Sequence, residues 1–186
     1  MIEDIILKLK GINGISTKTA EKILFDLISN DKLDDLTEVI AMINSDLSLC
    51  DKCFFVRENK KCIFCDANDR NNSKLCVVAT IADGFRISKS KYDGLIHVLG
   101  GEIDLRKNIL PDSLDFNSLI SRVNNFKEVI LAFNYTIEGE VTSNYIIKRL
   151  STKKIKVTKL AKGMPVGNVL DYVDETTLND AFKNRK

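Results

Sequence analysis

The chain has 186 residues, 28 basic and 26 acidic side chains, a net charge of +2 and a hydrophobic share of 44%. That length supports one sizeable core with small satellites, and the near-neutral balance excludes a global polycation, so any nucleic-acid surface must be a local patch. With no apolar leader and no apolar run near the ~20 residues of a membrane span, a soluble cytoplasmic protein with no membrane partner is expected.

Charge is nevertheless uneven. Residues 1–49 carry five lysines against nine acids, while residues 50–75 and 76–186 are net basic. Ile2, Ile5, Ile6 and Leu9 recur at helical spacing and predict an amphipathic helix over 2–10. Gly11-Ile-Asn-Gly-Ile-Ser16 is too glycine-rich to continue it. Ser16 or Thr17 can cap a second helix, with Ala20, Ile23, Leu24, Leu27 and Ile28 on one face. A third helix follows, with Leu33, Leu36, Val39, Ile40 and Ile43 expected inward.

A helix, a short glycine turn and a second helix have two readings. One is an ordinary helical hairpin that packs on its neighbours. The other is a helix-hairpin-helix, which holds backbone N–H groups at a helix N-terminus against a DNA phosphate. In the second reading Gly14 lets the backbone approach closely with φ > 0, and Lys18 and Lys22 share an exposed stripe beside the turn.

Cys50-Asp-Lys-Cys53 and Cys62-Ile-Phe-Cys65 are two Cys-x-x-Cys pairs eight residues apart. Four converging thiolates repel one another unless a cation sits among them. This spacing predicts a tetrahedral, closed structural zinc site, one ion per chain; an iron–sulfur cluster and two disulfides are the alternatives. The intervening Phe54–Lys61 carries Arg57, Glu58, Asn59, Lys60 and Lys61 and is read as too poor in apolar groups to form a core, so metal would supply its folding energy.

Asp66 to Lys74 reads as a polar connector. Leu75–Ala82 is a short apolar run expected to be a buried parallel strand, with the fifth cysteine, Cys76, inside it as a small core residue. Asp83-Gly84 reads as a turn, followed by a short helix through Ser88 to Lys91. Leu95–Gly101 is a second strand whose only histidine, His97, reads as a core residue. After a loop over 102–113, Leu119, Ile120 and Val123 lie on a helix, Glu128–Asn134 forms a third strand, Glu140–Leu150 a helix and Lys156–Leu160 a fourth strand. Strands alternating with helices predict a parallel α/β sheet, with functional groups at the carboxyl ends of its strands. Leu170–Glu175 reads as an apolar strand ending in acids, with Asp171, Asp174 and Glu175 as structural or capping groups. A last helix over Leu178–Arg185 is capped by Thr176 or Thr177. No Walker A pattern accompanies that segment, so it does not make an ATPase.

Ile12-Asn-Gly-Ile-Ser-Thr-Lys-Thr-Ala20 followed by the cysteine quartet resembles the RecR family of bacterial recombination mediators. Asn13 and Ser16 stand where that family has proline and a second glycine. Lys159–Gly167 is similar to the family's Arg-Ile-Ala-x-Gly-x-Pro-Val-Gly stretch, with Asn168 for the next glycine. The resemblance implies a multi-module α/β chain: a helix-hairpin-helix domain over 1–49, a four-cysteine zinc finger over 50–65, a Toprim domain over 74–169 and a Walker-B-like strand and helix over 170–186. It implies a non-catalytic DNA-repair factor that binds double- and single-stranded DNA, works with RecO and RecF to load recombinase on coated single strands, and assembles dimers and a tetrameric ring. Lys18 and Lys22 would contact DNA, with Lys8 and Lys10 beside them.

Catalytic Toprim domains bind magnesium through a Glu after the first strand and a later Asp-x-Asp. Here those positions hold Ala79 and Asn134-Tyr-Thr136. The competing reading, a magnesium-dependent phosphotransferase or nuclease, has only Asp83, Glu138 and Glu140 to use. Glu138 and Glu140 resemble the family's acidic patch for RecO, although acids at a helix N-terminus also arise for dipole reasons alone.

Overall fold

The computed structural model describes residues 1–164, 167 and 169–185. Pro165, Val166 and Asn168 of the Lys159–Asn168 stretch, and Lys186 of the C-terminal segment, lie outside the described residues. The chain divides into two compact units, one of Met1–Ser48 with Glu58–Lys60 and one of Leu49–Arg57 with Lys61–Lys186.

The first unit contains helices α1 (Ile2–Lys10), α2 (Thr17–Ser29) and α3 (Leu33–Asp46). The Ser16 side chain accepts the amide of Thr19 at 3.2 Å and so sets the start of α2. Gly14 takes φ +91°, a backbone that a side chain would strain. Ala20 and Leu24 are buried, but no residue of α1 or α3 is. Leu33, Leu36, Val39, Ile40 and Ile43, expected inward, are exposed. The helical period is correct, but three short helices offer too little opposing surface to cover that face.

Strands β1 (Leu47–Leu49), β2 (Val56–Glu58) and β3 (Lys61–Cys62) form a small sheet in that order. Asn59 and Lys60 both adopt left-handed conformations and turn the chain between β2 and β3.

The larger sheet contains β4 (Asn71–Val78), β5 (Gly94–Val98), β6 (Glu128–Ala132) and β7 (Lys156–Lys159), ordered β5-β4-β6-β7 and parallel throughout. Helices α4 (Ile81–Ser88), α5 (Phe116–Arg122), α6 (Ile137–Leu150) and, last in the chain, α7 (Glu175–Lys183) complete the regular elements. Strand β4 is central and is covered on both faces. Leu75, Val77 and Ala79 join Phe116, Leu119, Ile146 and Leu150 on the α5–α6 side. Cys76 and Val78 face the other way, onto Phe55, Phe64, Ile96 and Val98. The expectation that the inter-cysteine loop lacks apolar content is therefore corrected. Phe55 is buried, Phe54 and Val56 pack beside it, and with Phe64 they form the second layer over the sheet.

Three local expectations also change. Asn71–Lys74, read as connector, begins β4. Asp83 and Gly84, read as a turn, lie inside α4, which starts with a reciprocal capping box between Thr80 and Asp83. The apolar strand expected at Leu170 is a 3-10 turn over Leu170–Tyr172, with Leu170 and Tyr172 exposed and, among the described residues, no neighbouring strand to satisfy an extended backbone. Asp174, rather than a threonine, caps the last helix by accepting the amide of Thr177 at 2.9 Å.

Candidate functional site

The Sγ atoms of Cys50, Cys53, Cys62 and Cys65 all lie within 4.8 Å of one another. Each Cys-x-x-Cys pair sits on a tight knuckle. In the first, Phe54 N–H donates to the Cys50 carbonyl at 2.8 Å and Cys50 N–H to the Phe55 carbonyl at 2.7 Å. Phe54 is left-handed (φ +59°), and its ring stands edge-on against His97. In the second, Asp66 N–H donates to the Cys62 carbonyl at 3.0 Å, the Asp66 carboxylate accepts Cys62 N–H at 2.8 Å, and Cys65 N–H points at the Cys62 sulfur at 3.4 Å. Backbone N–H groups aimed at sulfur stabilise a thiolate.

The crowded sulfurs compete for protons. Cys53 and Cys62 lie 3.5 Å apart, and their contact holds Cys62 far below the usual thiol range while raising Cys53 far above it. A divalent cation resolves this competition by displacing the protons. The four sulfurs fit a metal ion, and four protein ligands would close its coordination. Cys76 is separate: burial pushes its thiol up to about 12, so it stays protonated in the core.

Arg122, at the end of α5, was not singled out by the sequence. Its Nη2 lies 3.3 Å from the Cys65 sulfur, and its Nη1 donates to the Ile96 carbonyl at 2.6 Å and faces His97 Nδ1 at 3.4 Å. Burial first, then this guanidinium, push His97 down to about 4, so the ring is neutral. The structure places His97 in the core, as its apolar strand suggested. No local pattern signals Arg122, because its partners are 57, 26 and 25 residues away.

At the carboxyl ends of the sheet strands, Ala79 is buried and brings no ligand. An open hollow of about 510 Å³ near the ends of β4 and β5 is walled mainly by apolar groups, including Phe54, Ile81, Val98 and Leu99. Thr136 caps α6 by accepting the Gly139 amide at 3.2 Å, and Asn134 donates to Glu102, a second residue that the sequence did not flag. The Asp83 carboxylate is occupied by Thr80, at 3.1 Å from its N–H and 2.6 Å from its hydroxyl.

Glu138 and Glu140 both lie in the first turn of α6. Glu138 pairs with Arg106, and its carboxyl is lowered first by its own backbone amide and then by that arginine. Glu140 holds Lys159 at 2.7 Å and Lys162 at 3.6 Å, and Lys159 holds its carboxyl below the usual range. Lys162 also reaches Asp180 of α7 at 3.8 Å. Gly139 between the two acids packs against the end of β6, where a Cβ would meet the Asn134 carbonyl oxygen at 2.1 Å.

In the first unit, Lys18 and Lys22 project from the opening turns of α2 beside Gly14, and Lys8 and Lys10 from the last turn of α1. All four are exposed, and among the described residues none of them forms an ion pair.

Comparison with known proteins covers the chain from end to end. The family model for the Toprim domain matches residues 73–161, and that for "RecR, C-terminal" matches 163–186. The recombination protein RecR of Phytoplasma mali is 38% identical, covering 99% of this chain and 93% of its own. Those of Mycoplasmopsis pulmonis and Bifidobacterium longum subsp. infantis are 35% and 39% identical, covering 100% and 93% of this chain and 97% and 89% of theirs.

Proposed function

This chain belongs to the RecR family of recombination proteins, and from that premise we propose that it is a non-catalytic, DNA-binding clamp of recombinational repair. In this reading it acts in the bacterial cytoplasm with RecO and RecF to load recombinase on single-stranded DNA coated by single-strand-binding protein. Its working modules are residues 1–49, 50–65, 74–169 and 170–186. The observation that carries the DNA contact is the turn at Gly14: a left-handed glycine at the mouth of α2, with exposed Lys18 and Lys22 on the turns that follow. Such a surface grips phosphate without reading sequence, and Lys8 and Lys10 extend it.

Structural zinc on Cys50, Cys53, Cys62 and Cys65 is supported by the all-sulfur donor set and by the proton competition within it. The ion would supply folding energy to the two knuckles rather than chemistry, since four thiolates leave no position for substrate. Assembly into dimers or a tetrameric ring is supported by the apolar side chains that α1, α2 and α3 leave exposed, among them Leu7, Phe25, Ile28, Val39, Ile40 and Ile43. A ring repeats a few lysines around its lumen and so grips DNA multivalently despite low net charge. Absence of phosphoryl-transfer chemistry is supported by Ala79, Asn134 and Thr136 at positions where that chemistry needs carboxylates. Glu138 and Glu140 are proposed as the contact for RecO.

The test is binding of duplex and single-stranded DNA across a salt series, for wild type and Lys18→Ala/Lys22→Ala, with oligomer mass read in parallel. On duplex, each phosphate that a lysine no longer neutralises takes about 0.9 from the slope of log K against log salt, so the slope should fall by about 2 per DNA-facing subunit in the double variant. An unchanged slope and affinity in the variant would remove the hairpin from the DNA surface.

A further inference from the structure

We propose that Arg122 is the counter-ion of the four-thiolate metal site and a positioning residue that fastens both metal knuckles to the open edge of the sheet. The inference rests on the zinc reading above. Four thiolates around a divalent ion carry a net charge of about −2. Cys50, Cys53 and Cys62 are buried, so water alone does not offset that charge. Among the described residues, Arg122 is the one cation with a hydrogen bond to a cysteine sulfur, its Nη2 lying 3.3 Å from Cys65 Sγ. The other arginines near the knuckles are engaged elsewhere: Arg57 with Asp51 at 3.1 Å, and Arg70 with the Tyr92 carbonyl at 2.9 Å and the Phe64 ring.

The same guanidinium is fixed on its other side by the sheet. Strand β5 is an edge strand, and its backbone groups at Ile96 and Val98 point away from β4. The Ile96 carbonyl accepts Arg122 Nη1 at 2.6 Å, and Val98 N–H donates to the Cys53 carbonyl at 2.8 Å. One knuckle thus meets the edge directly through Cys53, and the other meets it through Arg122. A planar fork is needed here, because sulfur, carbonyl oxygen and ring nitrogen are approached by one group. An ammonium supplies the charge but not the fork. Arg122 therefore links metal occupancy to closure of an edge that would otherwise be free to pair with another strand.

The experiment compares full-length wild type with Arg122→Lys and Arg122→Gln, and with Arg149→Gln, an exposed arginine on α6, as control. Bound zinc is counted first. Its release to a chromophoric chelator is then timed, and cobalt(II) is titrated in as a spectroscopic probe across pH. Loss of an outer-shell partner of a metal ligand typically weakens metal affinity about 10- to 100-fold. The expected result is one zinc per wild-type chain, release accelerated about tenfold or more in Arg122→Gln, an intermediate rate in Arg122→Lys, and a higher pH for half-loading with cobalt in both. Arg149→Gln should match wild type. Wild-type release rates and loading pH in both Arg122 variants overturn the proposal while leaving the zinc reading intact. Wild-type protein that shows neither zinc nor sulfur-to-cobalt bands overturns the zinc reading, and the proposal with it. Should Arg122→Gln not fold, Arg122→Lys decides by the same rate and pH criteria.

Discussion

Replacing Phe64 by alanine tests whether the cysteine module is held by packing as well as by the metal proposed for it. Phe64 is 0% exposed, and its ring meets Phe55 edge-on at 5.2 Å and 85°. The Arg70 guanidinium lies 4.7 Å from its centroid, and Cys76, Val78, Ile96 and Val98 belong to the same cluster. Removing a buried phenylalanine costs about 3–5 kcal/mol, combining the transfer energy of the ring with the cavity left behind. Within that total the edge-on ring pair contributes about 0.5–1.5 kcal/mol and the cation over the ring about 0.5–1. Phe64→Leu keeps most of the volume and should lose about 1–2 kcal/mol. The assay is urea unfolding followed by far-UV circular dichroism at a fixed zinc concentration, with the zinc affinity of each variant measured separately, because a changed Kd adds RT ln(1 + [L]/Kd) to the apparent stability. A Phe55→Leu/Phe64→Leu cycle should return a coupling of about 1 kcal/mol. If Phe64→Ala loses less than about 1 kcal/mol under these conditions, the aromatic layer does not stabilise the sheet.

Three further outcomes are expected. Gly139→Ala places a Cβ against the Asn134 carbonyl oxygen and should lower stability by about 1–3 kcal/mol or more; a wild-type urea midpoint would contradict the close approach of α6 to β6. Asp83→Ala removes half of the α4 capping box and should lose about 1 kcal/mol. Magnesium-dependent DNA nicking that vanished in this variant would instead give Asp83 a catalytic role. His97 is buried with its value depressed from 6.5 to about 4, so the neutral ring's contribution is fully present above pH 6.5 and is lost as pH falls toward 4. The loss approaches about 1.4 kcal/mol per pH unit across that window. His97→Gln should flatten the profile there, read as urea midpoints at each pH with bound zinc counted in both proteins, since the ring adjoins Arg122 and, in the cysteine module, Phe54.

What could be read from the sequence was what repeats locally. Ile2, Ile5, Ile6 and Leu9 mark α1 with its observed bounds, and the two Cys-x-x-Cys pairs converge as their spacing required. Leu75–Val78 is apolar at every position because both faces of β4 are covered, which alternation could not have signalled. Failures came where a residue answers to distant neighbours. Asn71–Lys74 is polar because it lies at the rim of the sheet, where Lys74 pairs with Asp93, yet it is strand by register with β5 and β6. Gly84 reads as a turn residue but is a packing glycine: a Cβ there would meet Ile96 at 2.9 Å and Phe55 at 3.0 Å. Leu33 to Ile43 shows that periodicity reports an apolar face and says nothing of what covers it. Of the site, the four converging cysteines were legible, whereas Arg122, Asp66 and Glu102 act through contacts that only the fold creates.

If Glu140 is the partner contact proposed above, the lysines around it alter what recognition there means. A partner's cation arriving there meets an acid already held by Lys159 and Lys162, and Lys162 is shared with Asp180 of α7. Docking is then an exchange of one ion pair for another, with the number of pairs conserved, rather than the addition of a new one. Exchanges of this kind release little net energy and respond weakly to salt, whereas an added surface pair weakens as salt rises. The displaced ammonium keeps Asp180 as its remaining acid, so exchange at α6 leaves the Lys162–Asp180 pair in place. A salt series on partner binding separates the two cases: exchange predicts weak dependence on salt, and addition predicts binding that weakens as salt rises.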